Sequence, residues 1–149
     1  MFTVPIDGES FVLGRVVRVL GGNVLIAVYA ESLKSVREID LDVLDRAAPI
    51  FLAVTMDLRL IDGQWSLVGE WSPEIELRLP RYKVQAGDGA FYEQHLDGSM
   101  GRSLTAAEAE RLPNYSSYSP ALVEMAVRAH FGHETWRPVF DEIRIEGSA

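Results

Sequence analysis

The residues best suited to chemistry in this 149-residue chain are three histidines, several closely spaced acids and no cysteine. His130 and His133 stand three apart at the end of a helical pattern with Glu134 beside them, a spacing that brings two imidazoles to one face if the helix continues. Gly132 should break it between them, no third ligand pattern lies nearby, and no metal site is expected. Glu93 and His95 share a strand face, where a carboxylate can orient an imidazole for acid–base work. The same pair recurs in strands that catalyse nothing, so no catalytic residue is assigned. The nucleophile elbow, phosphate loop, dinucleotide fingerprint, zinc-protease helix and EF-hand loop are all missing. Without cysteine there is no thiolate nucleophile, disulfide or thiolate metal site. The expectation is a protein without cofactor and without enzymatic activity.

The acids fit recognition better. Glu31, Glu38, Asp40, Asp42 and Asp45 outnumber Lys34, Arg37 and Arg46 in one segment, and Glu74 and Glu76 flank Ile75 further on. Carboxylates on a rigid scaffold steer a cationic partner and can occupy the phosphate site of a nuclease, although alternating acids equally make an ordinary solvated face. The whole chain carries 14 basic against 22 acidic side chains, a net charge of −8, which disfavours nucleic acid and anionic lipid as partners. In LPNYSSY, Tyr115 and Tyr118 sit among small polar residues, a composition that offers rigid aromatic contact area; both rings would also serve to seat the following helix on a sheet. The candidate partner-binding residues are therefore Asp40, Asp42, Asp45, Glu74, Glu76, Tyr115 and Tyr118.

These side chains need a scaffold, and the length suits one domain over residues 1–149 with a substantial core. No apolar run reaches the roughly 18 residues a bilayer span requires, and FTVPIDGESF does not read as a secretory signal, so a soluble cytoplasmic protein is expected. Asp7-Gly8 and Gly21-Gly22-Asn23 supply turns for a three-stranded meander, whose second strand carries Gly14 at a point of bending or close backbone approach. A short helix from Leu41 to Ala48 follows the cap Asp40. After Pro49 the alternation predicts a long strand over Ile50 to Ile61, turned back by Asp62-Gly63 into Trp65 to Trp71, with Trp65, Leu67, Gly69 and Trp71 on one face. Alternation also predicts strands over 74–79 and over Ala90 to Leu96. Thr105 with Glu108 reads as a capping box, and Ser119-Pro120 opens a helix whose face is Leu122, Met125, Ala126 and Ala129 and whose end is Gly132. Phe140 to Ile145 reads as a last strand, with Gly147 to Ala149 frayed. The sum is an α+β fold: a strongly bent, mainly antiparallel, half-barrel-like sheet of six to eight strands with two or three short helices, the main ones C-terminal.

FTVPIDGESFVLGRVV, PIFLAVTMDLRLIDGQWSLVGEW and LRLPRYKV, in that order, resemble the immunity protein 26 family of bacterial polymorphic toxin systems. The matching positions are Pro5, Gly14 with Val16, Pro49, Trp65, Gly69 and Pro80, all of which read as structural. The resemblance covers roughly residues 2 to 84 and implies a cytoplasmic inhibitor that binds and blocks a cognate, basic toxin. The alternative, from another class, is a β-domain holding a small molecule on the concave sheet face beside Trp65 and Trp71.

Overall fold

Two short turns fold the N-terminal region into a meander. β1 (Phe2–Pro5), β2 (Phe11–Leu20) and β3 (Asn23–Tyr29) pair antiparallel in sequence order. The first turn is held by Asp7, whose carboxylate accepts the backbone N–H groups of Glu9 and Ser10 at 2.8 and 2.7 Å. Those donors hold its carboxyl below the usual aspartate range. Gly14 faces Phe2 across the β1–β2 pair, and a Cβ there would come within 2.3 Å of the Phe2 ring edge, so the expected close approach is a side-chain one. The computed structural model describes residues 1–73 and 77–145, and the strand expected over 74–79 and the frayed end fall wholly or partly outside them.

After β3 the chain runs through a 3₁₀ turn at Val36–Glu38 to α1 (Leu41–Arg46), capped by Asp40 as its sequence indicated, and into β4 (Pro49–Met56), which pairs with β3. β4 stops five residues short of the expected strand. Leu58–Ile61 instead forms a helical turn, α2, in which the N–H of Asp62 donates to the carbonyl of Leu58. Alternating leucines satisfy both periods over so short a stretch, and the i, i+4 bond decides. The expected hairpin onto Trp65 to Trp71 is also corrected. This segment leaves β4 and lies along the free edge of β1, through Thr3 N–H to Ser66 and Val68 N–H to Met1. Its side chains do not share a face, since Trp65 is fully buried and Leu67 is 72% exposed.

The described residues divide into two compact units, one from residues 1–73 and 117–145, the other from residues 77–116. In the second unit β5 (Tyr82–Gln85), β6 (Phe91–Gln94) and β7 (Met100–Ser103) make a three-stranded antiparallel sheet, followed by α3 (Ala106–Arg111) with the expected Thr105–Glu108 capping box. The α+β class, antiparallel pairing and short helices match expectation, with the seven described strands shared between a sheet of four and a sheet of three. Leu77 to Pro80 form no strand.

In the first unit α4 (Pro120–His130) starts at Ser119, whose hydroxyl accepts the Leu122 N–H at 3.2 Å, and ends before Gly132 at φ 77°. Its buried stripe is Val123, Ala126 and Val127, one residue round from the expected face, with Leu122, Met125 and Ala129 only half-buried. This stripe closes the core with Phe2, Val4, Val12, Ile26, Val28 and Phe51. Residues 138–142 form a 3₁₀ turn where a strand was expected; beyond it the backbone bonds β4 through Leu52 N–H to Ile143 and Ile145 N–H to Ile50.

Gly14→Ala is expected to destabilise the protein by about 1–3 kcal/mol through overpacking against Phe2. Gly8→Ala, with open space around it, should stay within about 0.5 kcal/mol in the same urea titration.

Candidate partner-binding surface

The three aspartates of the α1 region have different occupations. Asp40 Oδ1 accepts the N–H groups of Asp42 and Val43 at 3.0 and 3.3 Å, which starts the helix. Asp45 Oδ1 accepts the indole N–H of Trp71 at 2.8 Å. Trp71 in turn meets Tyr29 edge-on with ring centroids 5.4 Å apart, and the Arg15 guanidinium lies 5.6 Å from its ring centroid. Burial pushes the Tyr29 hydroxyl pKa up, so it stays neutral in this cluster. Asp42 is exposed between Leu41 and Val43, themselves 43% and 46% exposed. Asp40 and Asp45 thus hold a short rigid helix that presents Asp42 with two apolar neighbours. Glu74 and Glu76 lie outside the described residues.

The tyrosine loop is shared between the units. Tyr118, in the first, donates its N–H to the Val54 carbonyl at 2.9 Å and its hydroxyl to Glu142 Oε2 at 2.6 Å, with its ring against the core. Tyr115, in the second, sets its ring edge-on to Tyr82 at 5.2 Å and its hydroxyl 3.4 Å from the Leu96 carbonyl. Tyr82 is buried deeply enough that its pKa is pushed up to about 12. Both loop tyrosines are half-buried and both brace the scaffold.

Glu93, weighed for acid–base work, is engaged elsewhere. Arg81 grips Glu93 with two bonds of 2.9 and 3.0 Å, and Arg102 Nε stands 3.6 Å away. This holds the Glu93 carboxyl below its ordinary range, which makes it a weak base. Arg102 also grips Glu108, whose pKa falls to about 2 through that bond and the Thr105 N–H. The His130 ring meets Phe51 and Phe131 edge-on, and burial lowers its pKa; His133 Nε2 lies 3.9 Å from Asp7. Among the described residues no group of three His, Asp or Glu is placed to hold a metal, and no helix is long and apolar enough to cross a membrane. Trp65 offers no face to a ligand. It is fully buried, stacked on Phe2 at 5.1 Å, and donates its indole N–H to Glu124 Oε1 at 3.0 Å.

One open groove of about 340 Å³ lies in the first unit, lined by Leu58, Arg59, Ile61 and Asp62 on one side and by Ser119, Pro120 and Ala121 on the other. Beneath it Arg59 Nε stands 3.1 Å from Glu124 Oε1, near enough for an ion pair but not aligned for a hydrogen bond. Sequence reasoning missed this feature because it placed Leu58 and Ile61 in a strand. Asp57 ahead of Leu-Arg-Leu-Ile, a helix-start residue before an apolar pair three apart, was the available signal.

A family model described as immunity protein 26 matches residues 1–93. No curated protein and no solved structure matches the chain.

The Glu108 carboxyl has a folded pKa below its unfolded value, so its contribution to stability is complete above about pH 4.5 and is lost as pH falls towards 2. Arg102→Gln should flatten the acid limb: between pH 4.5 and 2 its urea midpoint should fall less than that of the unsubstituted protein.

Proposed function

The chain belongs to the immunity protein 26 family, and from that premise we propose that it binds one molecule of a cognate basic toxin and holds it inactive. Membership itself implies an immunity protein directed against a toxin. A basic nuclease module, a one-to-one complex and action in the cytoplasm of the producing cell complete the reading. The observation that carries it is the outward face of α1, where Asp42 stands between exposed Leu41 and Val43 on a helix whose other aspartates are bound internally. An apolar contact flanked by an unengaged carboxylate is the composition of an interface core meeting a charged rim. The net charge of −8 adds long-range attraction for a cationic partner. Asp40 and Asp45 belong to the proposed surface by holding α1 in place, whereas Tyr118 in the first unit and Tyr115 in the second each brace their own unit.

Co-expression with a cognate toxin module should restore growth of cells that the module alone kills. Asp42→Arg should weaken the purified complex by about 2 kcal/mol if the helix lies at the centre of contact. Glu110→Arg on α3 changes net charge equally and should leave affinity within about twofold, which separates local contact from bulk charge. Unchanged affinity in Asp42→Arg would remove α1 from the interface.

A further inference from the structure

We propose that the groove between α2 and the start of α4 is a socket for one large apolar side chain that the cationic toxin presents among its lysines or arginines. This deepens the toxin-binding reading and rests on it. α2 is four residues long, yet it turns two large aliphatic side chains outward, Leu58 at 54% and Ile61 at 73% exposure, and Met56 just before it is 40% exposed. Single exposed apolar residues are unremarkable on any surface, whereas two from one turn lining the same cavity form a patch with a shape. The opposite wall is small, with Pro120 buried and Ala121 carrying only a methyl.

The socket is preformed. The Trp65 N–H donates to the Arg59 carbonyl at 2.8 Å, and the Trp65 indole and Arg59 both meet Glu124 of α4. Both walls are thereby tied to one buried carboxylate, and an entering side chain meets little ordering cost. The charges around it choose the occupant. Arg59 is drawn to Glu124 at 3.1 Å and to Asp62 at 3.8 Å, so its cation is compensated internally. Of the charged residues that line the groove, Arg59 and Asp62 offset one another, and Asp57, next to Leu58 in the chain, adds a carboxylate that makes no side-chain cap bond. A cationic polypeptide fits this rim. A second copy of the chain would bring the same rim and another −8 against it.

The test measures binding of a catalytically inactive form of the cognate toxin module, the one whose killing the chain relieves on co-expression, to the full chain by surface plasmon resonance. Ile61→Glu should weaken binding at least tenfold, mainly through faster dissociation, while Ile61→Leu stays within about twofold. Ala121→Tyr fills the socket from its other wall and should give a comparable loss, which keeps the test open if Ile61→Glu folds poorly. Folding is checked by the thermal melt and the tryptophan emission maximum, to which Trp65, Trp71 and Trp136 all contribute. Full affinity in well-folded Ile61→Glu and Ala121→Tyr overturns the socket and leaves the toxin reading standing. Failure of the unsubstituted chain to bind the module overturns both. A dimer in sedimentation velocity that Ile61→Glu converts to monomer would assign the groove to self-association and overturn the proposal.

Discussion

The indole of Trp65 lies wholly inside the first unit, and a buried indole N–H needs an acceptor. Glu124 supplies it from the middle of α4, which takes a carboxylate out of water, a costly step unless the charge is compensated. Arg59 provides that compensation from α2. The middle of α4 is thus committed to the Arg59–Trp65 stretch, distant from it in sequence, by a single charged contact, while Phe2 stacks on the indole ring and carries the constraint into β1. Loss of any one partner would leave a polar group buried without its counterpart, a larger penalty than the pair's net worth.

The outer surfaces inherit their rigidity from such internal bonds. Asp40 and Asp45 look alike in a charge count, yet one starts a helix and the other anchors Trp71, leaving Asp42 to face solvent. In the second unit Glu93 and Glu108 are held by Arg81 and Arg102. Net charge therefore says what kind of partner is attracted, and the hydrogen-bond partners say which carboxylates are available to it.

Legibility in the sequence followed the range of the interaction. Turns at Asp7-Gly8 and Gly21-Gly22, the caps at Asp40, Thr105 and Ser119, and the stop at Gly132 are short-range chemistry and were readable. The family resemblance rested on the same punctuation. The end of β4 was not readable because leucine alternation over Leu58 to Ile61 is neutral between strand and helical turn. The α4 face was one residue out because Glu124, polar by type, is buried by Trp65, a contact 59 residues away in sequence. β7, with the sequence MGRS, carries almost no apolar signal. The tyrosines are legible as residues of one loop, but their assignment to different units depends on contacts with Val54 and Tyr82 that no local pattern contains.

The central claim is inhibition by occupancy, and the most direct measurement titrates the purified toxin module, well above the dissociation constant, with increasing amounts of this chain while toxin activity is followed. Activity should fall linearly and vanish at one equivalent, with one complex of matching mass. Protection at a small fraction of an equivalent, growing with time, would mean that the chain acts on the toxin or its product as a catalyst and would contradict the account.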